Sequence, residues 1–486
     1  MTSYPLLTLY RGCALILIFL LSSQLASTQN VQRGEMEDVL RIVSDDIQKH
    51  FYDPQMKGLD WPTLTEQTRQ RIRSSSNTGQ MILAIFSLLS KLGDSHTYFV
   101  PPRLTEQADF GFEARAYGDE VRIYEIREKG PAAKSGLGVG DRILSLNGIS
   151  VDRGSIGEVL RLLREVVPAV ALDIEIVSPG GQTRKLRIPA HMVVTQEHQY
   201  LESVWRVADE QRARDVRVNI SQKDCGDGVS LIAIPSFAGP PDLAYSAIRK
   251  AEHSRGLILD LRGNHGGRVD TLLEFISFFG ARPEILAKRI TRSRSEDLIT
   301  KPQSSGFHGS VVVLVDSDSA SAAELAARHL QLTYKAVVIG DRTSGKVNEG
   351  HFYPEKIGAR FVMPFAVVVT EAKLVMPDAG ELEGQGVVPD SQCVPTAEDL
   401  QQRRDPCLDR AIALAKRKLV EKPRSELKSR QIRGKDRATF GQTCRSRFAP
   451  DDNSLEFLGG PKTVVVARSK LAVVAALSHP LDARRL

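Results

Sequence analysis

The chain has 486 residues, with 65 Lys and Arg against 59 Asp and Glu, 42% hydrophobic and 26% charged residues. These proportions are ordinary for a globular protein, and the length predicts two to four domains rather than one core. Residues 421–486 carry 14 basic and 7 acidic side chains, so the remainder holds 51 and 52. Because the main part of the chain is nearly neutral, the charge does not predict a nucleic-acid partner.

The first thirty residues have the pattern of a secretory signal peptide. Arg11 supplies the positive end, Cys13–Leu21 is an uninterrupted apolar run, and Leu25-Ala26-Ser27 offers a loose cleavage site. The run is too short for a comfortable transmembrane helix, although an uncleaved anchor is an alternative. We therefore expect an exported protein, periplasmic or secreted, that touches a membrane only if the leader is retained.

Cysteine spacing predicts one disulfide and no metal site. Cys393 and Cys407 are close in sequence and flank a turn-rich segment, so they are the expected pair, with free thiols as the alternative. The chain has no C-x-x-C or H-E-x-x-H motif and no metal-ligand spacing. We expect neither a metal nor a cofactor.

Three amphipathic stretches predict a helical N-terminal region. Apolar residues recur at helical spacing in Met36–Phe51, and Trp61–Arg73 and Gly79–Leu92 are two further predicted helices. The region ends in the turn Gly93-Asp94-Ser95-His96. His96 is either a turn histidine that bonds the local backbone or part of an active site.

A stretch between residues 108 and 190 resembles a PDZ domain. The resemblance rests on Gly130–Gly136, on Val139–Gly148 with its Asn147-Gly148 hairpin turn, and on a predicted helix, Ser155–Val166. It implies that the loop Gly111-Phe112-Glu113 captures a peptide C-terminus with backbone N–H groups while the peptide adds a strand to the sheet. A small β-domain without a ligand is the alternative.

Strands and helices alternate after residue 190, which predicts an α/β core with parallel crossovers. Gly228–Ile234 and Gly256–Leu261 are predicted strands, with the helix Leu243–Glu252 between them. Gly266 and Gly267 lie just past the second strand, where paired glycines permit a close approach of the backbone. An ordinary turn from strand to helix explains them equally well.

Ser321 lies where a buried strand, Val311–Val315, hands over to a predicted helix, Ala322–Leu332. Free N–H groups and the helix dipole at this place favour an anion, so a serine here can attack a carbonyl while N–H groups hold the oxyanion. The simpler interpretation is a capping box, with Ser321 as N-cap and Glu324 at the third helical position.

Lys346 follows a further predicted strand, Ala336–Ile339, and the turn Thr343-Ser344-Gly345. A lysine held in a partly desolvated pocket can lose its proton and serve as base for a serine. A solvated turn lysine is the alternative.

Five motifs in this order resemble the C-terminal processing peptidases, also called tail-specific proteases, over roughly Met36 to Lys418. They are Leu92–Thr97, Leu259–Gly267, Ser319–Glu324, Gly340–Lys346 and Glu383–Asp390. The resemblance implies an α/β protease core, a crotonase-like ββα-type arrangement of sheet and helices. It also implies that Ser321 is the nucleophile and Lys346, 25 residues later, the base. The oxyanion hole would consist of the N–H groups of Ala322 and of Gly266 or Gly267.

One position departs from that family. Its Ser–Lys members usually carry a Gln four residues after the lysine, which orients it, and this chain has Gly350 there. Asn348 or Glu349 could substitute, but Glu349 would hold the lysine charged. The related tricorn proteases take their base from a Ser-His motif. The alternative site is therefore Ser321 with His96 as base, supported by Ser95 and Glu383.

We thus expect an exported serine endopeptidase that acts on proteins or peptides through their C-termini and has no nucleic-acid partner. The alternative class is a non-catalytic carrier, because the retinoid-binding proteins of the eye resemble this core fold. The expected divisions are a signal peptide (1–29), a helical N-terminal region (30–107), an inserted PDZ domain (108–190), the protease core (191–420) and a basic tail (421–486).

Overall fold

A computed structural model describes residues 32–101, 106–194, 219–301, 306–358, 363–378 and 380–421. The predicted leader and nearly all of the basic tail lie outside these ranges. Among the described residues, no helix combines the length and the apolar composition needed to cross a membrane.

The helices in the described ranges are α1 (32–50), α2 (Trp61–Ser74), α3 (Thr78–Ser90), α4 (Pro131–Lys134), α5 (Ile156–Arg161), α6 (Pro241–Arg249), α7 (Val269–Ser277), α8 (Ala322–Thr333), α9 (Ala397–Gln401) and α10 (Pro406–Glu421). The strands in the same ranges are β1 (Tyr98–Val100), β2 (Glu106–Asp109), β3 (Phe112–Tyr117), β4 (Glu120–Ile126), β5 (Arg142–Leu146), β6 (Ile149–Ser150), β7 (Ala171–Val177), β8 (Thr183–Pro189), β9 (His191–Val194), β10 (Ser221–Asp224), β11 (Val229–Ala233), β12 (Gly256–Asp260), β13 (Ile285–Thr291), β14 (Ser295–Ile299), β15 (Ser310–Val315), β16 (Val337–Gly340), β17 (Glu349–Ile357), β18 (Met363–Val375) and β19 (Ser391–Gln392).

The three predicted N-terminal helices form, and side-chain caps define where two of them begin. Asp60 accepts from the Thr63 N–H at the start of α2, and Asn77 accepts from the Gln80 N–H at the start of α3. The apolar faces of α1 to α3 pack against one side of an antiparallel sheet. This sheet has the order β1-β18-β13-β14, and β17 also pairs with β18. The turn that carries His96 leads directly into β1.

The middle part of the chain forms a β-domain with the strand order β3-β4-β5-β7-β8 and with β6 paired to β5. The predicted hairpin turn joins β5 to β6, because Asn147 and Gly148 have φ of +48° and +77°. The predicted helix Ser155–Val166 is interrupted: α5 ends at Arg161 and continues as a wider π-helical turn, Leu162–Val166. Strand β3 pairs only with β4 among the described strands, so one edge of it is open there.

The core sheet has the order β10-β11-β12-β15-β16-β19, with every pair parallel except β10 and β11. Strand β15 is buried throughout, as a continuous apolar run predicts for a central parallel strand. Helices α6, α7 and α8 bury their apolar faces in the largest core cluster. Parallel connection places the carboxyl ends of β12, β15 and β16 at one edge, where the glycine pair, Ser321 and the Lys346 loop follow.

The expected disulfide between Cys393 and Cys407 is present, with 5.6 Å between the two Cα atoms. It joins the segment after β19 to the first turn of α10. The bond fixes α10 against the face of the core sheet, where both cysteines are buried beside Ile258 and Val312.

Candidate active site

Ser321 has an unusual backbone conformation at the start of α8. Its φ is +55° and its ψ is −118°, a region that costs a non-glycine residue about 1–3 kcal/mol. The residue is held there by its N–H group, which donates to the Lys346 carbonyl at 2.7 Å and to Glu324 Oε2 at 3.0 Å. The side chain is half-buried at the helix N-terminus. Strain of this kind is typical of residues that a protein holds for a function.

The two glycines after β12 pack directly against this serine and its surroundings. A Cβ atom on Gly266 would lie 2.6 Å from Ser321 Cβ, and one on Gly267 would lie 2.1 Å from the Phe237 carbonyl carbon. Gly266 also has φ of +95°. Neither position therefore tolerates a side chain, which agrees with the close backbone approach that the sequence suggests.

The candidate oxyanion donors differ in availability. The Gly266 N–H donates to the buried Asn264 side chain at 2.8 Å. No acceptor within the described ranges bonds the N–H of Ala322 or of Gly267. An oxyanion needs donors that are not already engaged, so Ala322 and Gly267 fit the role better than Gly266. Sequence reasoning missed Asn264, although it belongs to one of the motifs.

Glu324 joins the nucleophile segment to the lysine segment. Its carboxylate is fully buried and accepts four hydrogen bonds, from Thr343 Oγ1 (2.5 Å), Gly345 N–H (2.7 Å), Lys346 N–H (2.9 Å) and Ser321 N–H (3.0 Å). Burial raises the pKa of Glu324, and these hydrogen bonds oppose the rise. The predicted capping box is confirmed, and the same carboxylate also fixes the loop that ends at Lys346.

The backbone of Lys346 is adjacent to that of Ser321, because its carbonyl accepts from the Ser321 N–H. The Lys346 side chain, however, is exposed rather than held in a desolvated pocket. The two neighbours that the sequence offers to orient it, Asn348 and Glu349, are engaged elsewhere. Glu349 forms a two-pronged ion pair with Arg289 at 2.6 and 2.9 Å, and the Asn348 amide donates to Asp94 at 3.4 Å. The expectation that Glu349 would hold Lys346 charged is therefore wrong, because its carboxylate pairs with an arginine.

His96 is in a more enclosed environment than the lysine. Its Nδ1 atom lies 2.8 Å from Ser95 Oγ. Burial lowers the pKa of His96, the carboxylates of Glu383 and Asp94 raise it, and the Lys346 ammonium lowers it, with a net decrease. The imidazole is therefore predominantly neutral near pH 7, the state that a general base requires.

Glu383 connects the histidine turn to the lysine loop. Its Oε1 atom accepts from the Ser95 N–H at 3.1 Å. Its Oε2 atom accepts from the N–H groups of Val347 at 2.9 Å and Asn348 at 3.3 Å. Hydrogen bonds thus bring together all five candidates that the sequence separates by up to 288 positions, namely Ser321, Lys346, Glu383, Ser95 and His96.

Gly350, where the Ser–Lys enzymes carry Gln, lies against His96. A Cβ atom at this position would lie 3.2 Å from both the Cβ and the carbonyl oxygen of His96, and 3.0 Å from Val368 Cγ1. A glutamine side chain would press on the histidine turn. The departure from the family pattern therefore coincides with the space that His96 occupies.

The loop Gly111-Phe112-Glu113 forms at the start of β3, but its polar groups already have partners. The Gly111 N–H donates to Asp109 Oδ1 at 2.9 Å. Arg164 donates to the Phe112 carbonyl and pairs with Glu113 at 3.1 Å. A peptide terminus that docks here must displace these contacts. Sequence reasoning missed both Asp109 and Arg164.

The β-domain contacts the turn that precedes Ser321. Arg115 on β3 pairs with Asp316 at 2.8 Å, and the Ser317 hydroxyl donates to the Ala116 carbonyl at 2.7 Å. The edge strand of this domain thus lies against the segment that ends at Ser321.

Comparison with known families and proteins agrees with this geometry. Residues 228–393 match the model of Peptidase family S41, and residues 122–172 match that of the PDZ domain. The chain is 25% identical over 406 residues to carboxyl-terminal-processing peptidase 1, chloroplastic, of Arabidopsis thaliana, which covers 77% of this chain and 74% of that protein. It is also 25% identical over 325 residues to the carboxy-terminal processing protease CtpB of Bacillus subtilis (strain 168), covering 63% and 61%.

Two further likenesses are to a tricorn protease homolog and to a solved structure. The putative tricorn protease homolog 2 of Streptomyces coelicolor is 25% identical over 398 residues, which are 78% of this chain and 32% of that protein. The crystal structure of mature CPAF has a TM-score of 0.58 at 17% identity, covering 80% of this chain and 98% of that one, so the two share a fold. The chain is therefore a serine-type peptidase with a Peptidase S41 domain and a PDZ domain, and it is similar to the carboxyl-terminal-processing peptidases.

Proposed function

We propose that this protein is an exported endopeptidase that cleaves proteins or peptides, with Ser321 as the nucleophile. The observation that carries the proposal is the backbone of Ser321, which is held at positive φ on a helix N-terminus and packed against Gly266. The hydroxyl would attack the scissile carbonyl to form an acyl-enzyme. The N–H groups of Ala322 and Gly267 would stabilise the oxyanion of the tetrahedral intermediates.

We propose His96 as the general base. With its proton on Nδ1, donated to Ser95 Oγ, the imidazole would present Nε2 as an acceptor. It would take the hydroxyl proton of Ser321 as the nucleophile attacks and give it to the leaving amine. It would then take a proton from the water that hydrolyses the acyl-enzyme, and return that proton to Ser321. Support comes from its enclosure and from Gly350, which leaves room for it.

Lys346 is the second candidate for the base. Its position 25 residues after Ser321 and its backbone hydrogen bond to that residue favour it. The exposure of its side chain weighs against it, because a lysine that serves as base for a serine is held in a desolvated pocket. For Lys346 to act as the base, the site would have to close over a bound substrate and remove water from the lysine side chain.

The PDZ domain would receive a substrate C-terminus in this proposal. Strand β3 pairs with one strand only among the described residues, so its other side can accept a peptide strand once the contact of Arg164 with Phe112 is displaced. It also contacts the turn before Ser321 through Arg115 and Ala116. The leader sequence supports export, to the periplasm or out of the cell. The crotonase-like arrangement of the core and the domain limits given by the sequence also stay predictions.

The test is cleavage of an unfolded protein by the purified enzyme and its Ser321→Ala variant. We expect the variant to lose nearly all activity, and Ser246→Ala, on the exposed face of α6, to keep it. A Ser321→Ala variant that cleaves at the normal rate would rule out this nucleophile. Binding of an apolar ligand without cleavage by the unmodified protein would favour the carrier.

A further inference from the structure

We propose that Asp94 is a positioning residue for His96, and that Lys57 counterbalances the charge of Asp94 from the other side. This inference rests on the proposed role of His96 as base. Asp94 belongs to the sequence motif of the histidine turn, but the motif does not reveal its role, because three of the four groups that its carboxylate contacts come from distant parts of the chain.

The Asp94 carboxylate is the meeting point of four segments. Its side chain is 0% exposed. Oδ1 accepts from the His96 N–H at 3.2 Å and from the Thr370 hydroxyl on β18. Oδ2 lies 3.4 Å from the Asn348 amide and 3.7 Å from Lys57 Nζ. The carboxylate thus links the histidine turn to β18 and to the loop that carries Lys346.

Lys57 is held over this carboxylate by further contacts. Its φ is +54°, an uncommon value for lysine, and its N–H donates to Asp53 at 2.9 Å. Its ammonium donates to the Gly93 carbonyl at 3.0 Å, next to Asp94 in the chain. A buried carboxylate is costly unless it is paired and hydrogen-bonded, and Lys57 supplies the cation.

The charges around His96 make Asp94 more than a structural support. Glu383, Asp94 and Lys346 act on the imidazole, and Lys57 and Tyr52 lie around Asp94. The two carboxylates favour the imidazolium that forms when His96 takes a proton, while burial and Lys346 disfavour it. Asp94 would therefore stabilise the protonated intermediate as well as fix the turn.

The test compares kcat/KM against pH for the enzyme and its Asp94→Asn and Lys57→Met variants. Asparagine keeps the oxygen that accepts from the His96 N–H but loses the charge. We expect the acid limb of the Asp94→Asn profile to move to lower pH by roughly one unit, because the negative charge that favours the imidazolium is removed. Lys57→Met should move the limb to higher pH. Asp45→Asn, on the exposed face of α1, is the matched control and should leave it in place.

A direct titration separates this inference from the proposed base. The His96 signal is followed by NMR in the inactive Ser321→Ala protein, with and without Asp94→Asn, so that its pKa is read without activity. A lower His96 pKa after Asp94→Asn supports the inference, and an unchanged or higher value overturns it. If Asp94→Asn does not fold, Lys57→Met provides the same comparison with the opposite sign. Full activity of His96→Ala would instead overturn the proposed base.

Discussion

Ser321 serves two purposes that the sequence presents as alternatives. It begins α8 with Glu324 bonded back to its N–H, as a capping residue does. It also has positive φ and packs against Gly266, next to Gly267, whose N–H has no acceptor in the described ranges. An ordinary N-cap adopts extended backbone and carries no such strain. The strained conformation therefore favours a role for Ser321 as nucleophile, because capping alone does not explain the strain.

The first prediction concerns the base at the residue scale. We expect His96→Ala to lower kcat by several orders of magnitude, as Ser321→Ala does, because the two side chains act as one unit. Lys346→Met should cost much less. The neutral imidazole is the active form, so activity should be lost as the pH falls through the His96 pKa. Burial places that pKa below the ordinary value of 6.5, so the acid limb should also lie below it.

Steady-state kinetics on one peptide across the pH range measure both effects. The matched control is His253→Ala, an exposed histidine outside the candidate site, which should leave the profile unchanged. A lysine variant as inactive as the serine variant, with a normal His96→Ala enzyme, would reverse the assignment.

The second prediction uses Gly350, where the two mechanisms predict opposite signs. If His96 is the base, Gly350→Gln should lower kcat by about tenfold or more, because a displacement of a catalytic group by about 1 Å is already costly. If Lys346 is the base, the same change restores the orienting glutamine and should preserve or raise kcat. Gly157→Gln, at an exposed position on α5 where an added Cβ meets nothing within 4 Å, controls for the new side chain.

At the scale of elements, the site is built from the carboxyl ends of parallel strands. Gly266 follows β12, Ser321 follows β15, and Lys346 follows β16, all at one edge of the core sheet. The antiparallel sheet contributes the histidine turn before β1. The candidate catalytic residues therefore meet where two sheets approach one another, which a single βαβ unit cannot provide.

The third prediction concerns the disulfide that fixes α10. Replacing both Cys393 and Cys407 by serine should lower the free energy of unfolding by about 3 kcal/mol, the value for a closed loop of roughly 15 residues. Urea unfolding followed by circular dichroism measures the difference, and Cys225→Ser is the single-cysteine control. Equal stability of the double variant and the unmodified protein in oxidising buffer would contradict the prediction.

At the scale of the whole molecule, the PDZ domain is in contact with the catalytic turn through Arg115 and Ala116 of β3. The predicted peptide loop is nevertheless occupied by Asp109 and Arg164. Peptide binding would therefore rearrange polar contacts on the same strand that touches the segment before Ser321.

The fourth prediction tests this peptide site. A peptide with a free C-terminus should bind at least about tenfold more tightly than its C-terminal amide. The reason is that the amide lacks the carboxylate to which the loop N–H groups would donate. Gly111→Ala should abolish the difference, since Gly111 has φ of +76° and an added Cβ would lie 2.9 Å from Pro131 Cδ. Fluorescence anisotropy measures both, with Gly118→Ala as control. Equal affinity for acid and amide would exclude this mode.

The sequence by itself determined the elements and the order of the motifs. Periodicity gave α1 to α3, the apolar run gave β15, the Asn147-Gly148 pair gave the hairpin turn, and the Ser321–Glu324 pattern gave the helix start. Each of these depends on neighbours within a few residues, so local physics suffices. The two cysteines are likewise close enough in sequence to suggest their pairing.

Only the tertiary structure decided how the candidate residues meet. The exposure of Lys346, the pairing of Glu349 with Arg289 and the place of Gly350 against His96 all depend on contacts between distant segments. Burial and hydrogen bonding set the charge state of a side chain, and neither can be read from its neighbours in the chain. For that reason the sequence left the lysine and the histidine as rivals, and the fold favours the histidine.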